Sequence, residues 1–512
     1  MSRSIYSWQK ECLSAWQDNK CRGIVSAVTG SGKTFLALCA AASLLKQHPE
    51  LRIRIVAPTI ALANQWRQAV IRTPDLKNIR PGFYGDGIRD DVDCQIMIYV
   101  INSARSGLAK HVRTDFALGR HVLLICDECH RYKSKENHRI FSFIEENIDS
   151  LPLYSCLGLS ATPFNGDRDD RLTAVLGREI YSYNIESAIL DETIAPFTVC
   201  QIAADFLPDE LEEYRMLSHR IGLTLKKLKN TYPYLIDLSE SAFMKEVKRL
   251  ASLSDMDPED PAAAFLMLSY QRKDITVMAE TRIRCCMKLL ESMKSSDRII
   301  IFSERIEQAE GLYRLISRRY GNIAGIYHSQ MTRDARIRVL GDFRENRARI
   351  LVSCRCLDEG LDVPDANIGI VLSSSAVPRQ RIQRLGRIVR CSTNKDSAVL
   401  YYIYVRESTD DRAYLPGADS RRVYDLRYYS REDVFSNDMY EYAAAGMLAA
   451  ARSAGMNSSE QRELRLCINE GLCMPDCLLE PAVLKKRIRQ ARSVHEKNYY
   501  NIMYKLSQKF IR

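Results

Sequence analysis

The stretch AVTGSGKT (residues 27–34) follows a short apolar run, GIVSAV (23–28), and leads into FLALCAAASLL (35–45), a run with helix-forming composition. A strand, a glycine-rich turn and a helix in that order make the setting in which a backbone can close around phosphate groups. Gly30 and Gly32 would let successive N–H groups of Thr29, Ser31 and their neighbours converge, and the helix N-terminus adds its positive end. Lys33 would reach the β and γ phosphates of a nucleoside triphosphate, and Thr34 would hold a Mg²⁺ ion. The first position of the general pattern is Gly, where this chain has Ala27.

Outward from that loop, more apolar runs of strand length recur. RIRIVAP (52–58), QIMIYV (95–100), HVLLICD (121–127) and YSCLGLS (154–160) join GIVSAV as short, largely apolar runs that read as buried parallel strands. Longer amphipathic stretches separate them, which predicts a doubly wound α/β unit over residues 1–204. RIIIFS (298–303), ARILVS (348–353) and NIGIVLS (367–373) predict a second such unit over 286–410. Between them, Leu211, Tyr214, Leu217, Ile221, Leu225 and Leu228 recur at three- and four-residue steps, so 205–285 reads as a helical insertion. Its Lys226, Lys227 and Lys229 suit either a solvated face or an arm on a polyanion. Residues 411–512 read as a helical C-terminal region, ending in NYYNIMYKLSQKFIR (498–512), whose aromatic residues suit an ordinary packed helix or a binding surface.

LLICDECH (123–130) places two carboxylates at a strand end. Adjacent carboxylates are costly there unless a cation or a proton offsets them. Asp127 is thus suited to Mg²⁺, and Glu128 to orienting and deprotonating a water molecule. Cys129 has no activating base and reads as a small spacer. His130 is placed to relay between this motif and SATPF (160–164), through Ser160 and Thr162. Far downstream, QRLGRIVR (383–390) repeats arginine every three residues. Arg387 and Arg390 are suited to the charge that develops on a γ-phosphate. Arg384, with Gln383 beside it, fits that coupling role or a nucleic-acid backbone.

The 512 residues exceed one hydrophobic core. Lys and Arg number 74 against 64 Asp and Glu, and the mild excess of +10 permits a polyanionic partner without requiring one. The sixteen cysteines are scattered, with no apolar signal segment at the N-terminus, so a reducing cytoplasm is expected. Cys467, Cys473 and Cys477 lack the paired spacing and nearby histidine of a zinc site. No apolar run approaches the roughly 18 residues needed to cross a bilayer, so no membrane partner is expected.

Taken in order, these pieces resemble a superfamily 2 helicase of the DEAH-type branch that includes restriction-enzyme motor subunits and Rad25-like repair translocases. YSWQKE (6–11) resembles the adenine-reading element, with Gln9 as the base contact. APTIALANQW (57–66) and IYVINSAR (98–105) resemble motifs Ia and Ib, and DECH and SAT resemble motifs II and III. IIIFSERIEQAEGL (299–312) resembles motif IV, SCRCLDEGLDVPDAN (353–367) motif V, and QRLGRIVR motif VI. The resemblance implies two tandem RecA-like domains with one ATP between them, and Gly360 and Asp362 near the nucleotide. It implies ATP hydrolysis coupled to movement on nucleic acid, DNA in preference to RNA, without sequence specificity. Thr59, Ser103, Ser303 and His328 are the expected backbone contacts. No nuclease motif is evident, so any cutting would fall to a protein partner. A sensor or scaffold that clamps nucleic acid without processive movement is the alternative from another functional class.

Overall fold

The computed structural model describes residues 5–148, 153–161, 170–184, 197–354, 366–373, 398–409, 423–431, 433–435 and 481–491, with scattered positions between 187 and 193 and after 451. Two units are distinguished, one holding the chain up to Pro196 and the other beginning at Phe197.

The first unit is built on eight strands: β1 (Arg22–Ala27), β2 (Arg52–Ala57), β3 (Gly82–Gly85), β4 (Ile88–Arg89), β5 (Ile96–Val100), β6 (Val122–Asp127), β7 (Tyr154–Ser160) and β8 (Glu179–Tyr183). They lie in the order β4-β3-β5-β2-β6-β7-β1-β8, parallel throughout except for the β3–β4 hairpin. β2, β5, β6 and β7 are buried along their whole length, as helices on both faces require. Four helices matter to the site: α1 (Ser7–Asp18), α2 (Lys33–Gln47), α3 (Ile60–Arg72) and α4 (Ile101–Ala117). Arg54 on β2 is wholly buried, yet its guanidinium donates twice to the Asp115 carboxylate of α4 (2.9 and 2.6 Å) and to the carbonyls of Cys94 and Val92. A buried charge survives only when paired and bonded in this way, and the pair fixes α4 against the sheet.

The second unit has β9 (Phe197–Ala204), β10 (Ile299–Ser303), β11 (Ala324–Tyr327), β12 (Ile350–Cys354), β13 (Ile368–Val371), β14 (Ala398–Val405), β15 (Val423–Tyr429) and β16 (Val434–Phe435). Their order is β11-β12-β10-β13-β14-β9-β15-β16. β10, β11, β12, β13 and β14 form parallel pairs, β9 runs parallel to β15, and β15–β16 is antiparallel. Two expectations shift here. Residues 197–204, expected to close the first domain, are a strand of the second sheet, and 423–427 in the expected helical tail pair with them. The described part of the tail does include a helix, Pro481–Gln490, with Arg487 over Tyr500 and Lys485 over Tyr504.

The insertion is helical as the periodicity predicts: Pro208–Thr231, Glu240–Leu253 and Pro261–Met278 close a core of their own around Leu217, Ile221, Leu228, Val247 and Phe265. The next helix, Glu280–Glu291, runs past the expected limit at 285 and buries Cys285, Cys286, Leu289 and Leu290 against the second sheet. Lys226 and Lys227 are exposed. Among the described residues no helix is long and apolar enough to cross a membrane, no cysteine is in a disulfide, and no cluster could hold a metal through three or more His, Cys, Asp or Glu side chains. Cys467, Cys473 and Cys477 lie outside the described residues.

Candidate active site

Parallel pairing brings the sequence motifs to one edge. Ser26 of β1 lies beside Ser160 of β7, and Leu159 of β7 beside Asp127 of β6. AVTGSGKT, DECH and the Ser160 that opens SAT therefore lie at the carboxyl ends of three adjacent strands, where open α/β sheets bind their ligands. β2, next along, delivers Pro58 and Thr59 to the same edge.

In the loop, Gly30 (φ 92°) and Gly32 (φ 100°) take left-handed backbone, which glycine adopts without the penalty a Cβ carries. A Cβ on Gly32 would lie 2.9 Å from Nε2 of Gln9. Gln9 is fully buried, donates from Nε2 to the Gly32 carbonyl (3.1 Å) and accepts from the Tyr6 N–H (3.0 Å). The glutamine assigned to the base thus also braces the phosphate loop. Ser31 donates to the Val28 carbonyl at 2.7 Å, and Lys33 Nζ to the Ala27 carbonyl at 2.8 Å.

Three features suit this loop to a triphosphate with Mg²⁺. The buried hydroxyl of Thr29 has no partner among the described residues. The N-terminus of α2 receives no side-chain cap, so its first N–H groups are not taken up by one. Thr34 stands in that first turn, with Asp127 at the end of β6.

Asp127 is nearly inaccessible, and burial pushes its carboxyl up from the ordinary range. The Trp66 indole, donating to Oδ2 at 2.8 Å, and the charge of Lys33 work in the other direction, with the Glu128 N–H donating to Oδ1 at 3.0 Å. The hydroxyl of Tyr132 lies within hydrogen-bond reach of the carbonyls of both Val56 and Asp127 (2.9 and 3.0 Å) and donates its one proton to either, bridging β2 and β6 at this end. Glu128 adopts φ 46° and ψ 51°, an unusual conformation for a residue with a Cβ. Its Oε2 lies 3.3 Å from His130 Nδ1, and that nitrogen lies 2.9 Å from the Ser160 hydroxyl. The structure therefore brings together Glu128, His130 and Ser160 across motifs II and III. Cys129 is wholly buried, and its thiol is pushed far up by that burial, which fits a spacer and not a nucleophile.

Thr59 caps α3, accepting from the Leu62 N–H at 3.3 Å, and is partly exposed, as is Ser103 in the first turn of α4. β2 and β5 pair in parallel with Ala57 beside Val100, so both residues stand at the same edge. Ser303 and His328 are placed differently from expectation. Ser303 is fully buried, with its hydroxyl donating to Gln308 Oε1 (2.7 Å) or the Arg305 carbonyl (3.0 Å). His328 is buried with Nε2 3.6 Å from Glu310. Neither side chain faces solvent, because both pack against one helix, Ile306–Tyr320, through Gln308 and Glu310. Thr162, Gly360, Asp362, Gln383, Arg384, Arg387 and Arg390 lie outside the described residues.

Sequence reading missed Trp66 and Tyr132 as supports of Asp127. Trp66 stood within a quoted motif, but nothing local pairs it with a carboxylate 61 positions away.

Comparison with known proteins agrees with this geometry. Residues 3–165 match the family model "Type III restriction enzyme, res subunit", and 281–392 match "Helicase conserved C-terminal domain". The "DNA 3'-5' translocase XPB2" of Sulfurisphaera tokodaii is 30% identical over 413 residues, covering 80% of this chain and 82% of that protein. The chain belongs to the superfamily 2 helicases. Within them it falls in the restriction-subunit and XPB-like branch, and it is a nucleic-acid-dependent ATPase. Among solved structures, the DUF1998 helicase MrfA bound to DNA superposes with a TM-score of 0.52 at 12% identity, over 78% of this chain and 46% of that one. The type ISP restriction-modification enzyme LlaBIII bound to DNA gives 0.54 at 14%, over 98% and 37%. These two share the fold, and the chain spans less than half the length of either. Two parallel-sheet RecA-like units, expected from the apolar runs, are thus the architecture of this superfamily 2 helicase.

Proposed function

We propose that this helicase hydrolyses Mg²⁺-ATP at the strand edge carrying AVTGSGKT and DECH and uses the energy to move on DNA. The observation that carries the reading is the convergence of Lys33, Asp127, Glu128, His130 and Ser160 on adjacent strand ends of one sheet. Support for DNA comes from the XPB-like relative, whose name describes a DNA translocase running 3′ to 5′.

In this reading the N–H groups of residues 29–34 and the Lys33 ammonium bind the phosphates. Thr34 and Asp127 hold Mg²⁺, which when bound offsets charge on the β and γ phosphates. The Trp66 indole and the Glu128 N–H fix the orientation of the Asp127 carboxylate. Glu128 orients the attacking water and takes its proton at the carboxylate. His130 lies beside that carboxylate and, through its contact with Ser160, ties it to motif III. Arg387 and Arg390 are assigned to the γ-phosphate, Gly360 and Asp362 to the nucleotide, and Gln383, Arg384 and Thr162 to coupling, all from the sequence motifs. Thr59 and Ser103 are the backbone contacts the exposure favours.

The test is Mg²⁺-ATP hydrolysis by the intact chain alone and with single-stranded, duplex and forked DNA and RNA, with Glu128→Gln as the blank. DNA stimulation that vanishes in the variant supports the reading. A rate that no nucleic acid changes, or that the variant retains, overturns it, and stimulation by RNA alone reassigns the substrate.

A further inference from the structure

α4 begins where β5 ends, beside the Thr59 end of β2, and carries Ser103 in its first turn. Its inner face is apolar. Ile101, Ala104, Leu108 and Val112 share one buried cluster with Tyr132, Ile140, Phe141 and Ile144 from the segment after the DECH box. A close-packed seam of this kind transmits displacement instead of absorbing it.

One polar chain crosses the seam. Arg105 of α4 donates from Nε and Nη2 to Oδ1 of Asn137 (3.0 and 2.5 Å). Asn137 Nδ2 donates to the Arg131 carbonyl at 2.8 Å. The Arg131 N–H in turn donates to the Glu128 carbonyl at 2.9 Å. An unbroken run of hydrogen bonds therefore joins α4 to the backbone of Glu128. A side-chain amide is the group that can accept from a guanidinium and donate to a carbonyl at once. Glu128 depends on such external restraint, since its left-handed conformation carries a cost that the surroundings must hold in place.

We propose that Arg105 and Asn137 are positioning residues that couple engagement of nucleic acid at α4 to the placement of Glu128. The inference rests on the reading of the α4 edge as the nucleic-acid face. A shift of α4 on binding moves the Asn137 amide, and with it the turn that sets the direction of the Glu128 side chain. Coupling of this kind runs through packed side chains and hydrogen-bond chains with more than one arrangement.

Asn137→Asp separates the links. It keeps an acceptor for Arg105 but turns an oxygen toward the Arg131 carbonyl, which breaks the chain there. Arg105→Gln breaks it one step earlier. ATP hydrolysis by the intact chain is measured with and without single-stranded and forked DNA, and DNA affinity separately by anisotropy with a non-hydrolysable ATP analogue. For Asn137→Asp the KM for ATP and the melting temperature stay as in the parent chain, and the basal rate falls by less than the DNA-stimulated one. Its kcat at saturating DNA falls about tenfold, within the span of ordinary coupling energies, while DNA affinity holds within about twofold. The double variant is no worse than the weaker single one, as two cuts in one chain require. Should Asn137→Asp melt early, Arg105→Gln, altered at a partly exposed side chain, carries the same comparison.

Full stimulation of both variants overturns the proposal, as does a loss of affinity that accounts for the loss of rate, or effects that multiply in the double variant. A parent chain stimulated by DNA with variants stimulated equally sinks the relay alone. A parent chain that no nucleic acid stimulates sinks the nucleic-acid reading and the relay with it.

Discussion

Replacing Trp66 by Phe removes one hydrogen bond at the heart of the site and little else. The indole is buried, and its N–H donates at 2.8 Å to a carboxylate that burial already disfavours in its charged form. A hydrogen bond to a charged group contributes roughly 1.5–3 kcal/mol, and the space left by the smaller ring costs on the order of 1 kcal/mol more. The expected loss in the first unit is therefore about 2.5–4 kcal/mol, tolerable against a typical stability of roughly 5–15 kcal/mol. The chain supplies its own probe, because its three tryptophans, Trp8, Trp16 and Trp66, all lie in the first unit. Urea unfolding followed by Trp8 and Trp16 fluorescence reads that unit without averaging over the second.

In an Asp127→Ala background the same substitution should cost only the ring, about 1 kcal/mol, so the double-mutant cycle should give a coupling of roughly 1.5–3 kcal/mol. With Asp127 less firmly oriented, kcat for ATP should drop at least tenfold while KM changes less, a barrier increase of about 1.4 kcal/mol or more. A coupling below about 0.5 kcal/mol, or an undiminished kcat, would refute the role assigned to the indole.

Two further outcomes are expected. Gly32→Ala forces a Cβ into left-handed backbone and against Gln9, costing about 1–2 kcal/mol for the conformation alone and raising the KM for ATP several-fold; isothermal titration showing parental ATP binding would contradict the crowding. His121, its ring against that of His48, is lowered from the usual 6.5 to about 4, chiefly by burial and secondarily by His48. Because the folded value lies below the unfolded one, its contribution is complete above about pH 6.5 and is lost as the pH falls toward 4. Melting temperatures across that window should decline less steeply in His121→Gln, and equal slopes in both proteins would show that other groups set the acid limb.

The sequence by itself determined the chemistry and the class of fold. A phosphate loop is contiguous, and AVTGSGKT between a strand and a helix needs no distant partner to be recognised. Strands buried on both faces are mostly apolar along their length, so RIRIVAP, QIMIYV and HVLLICD declared a parallel sheet before any pairing was known, although the buried arginine within RIRIVAP found its carboxylate only in the fold. The helical insertion was legible for the same reason, since one buried stripe leaves a three-to-four-residue period.

What the sequence left undecided was everything that depends on strand order. FTVCQIAA (197–204) looks like any buried strand, and only its pairing with residues 423–427 assigns it to the second sheet. Ser303 reads as a hydroxyl at a strand end, and tertiary packing turned it inward onto Gln308. The support of Asp127 by Trp66 and the chain from Arg105 through Asn137 to Glu128 join residues distant in sequence. Hydrogen bonds a few ångströms long are set by which strands lie side by side, and that order is fixed by the packing of the whole unit, which no local pattern encodes.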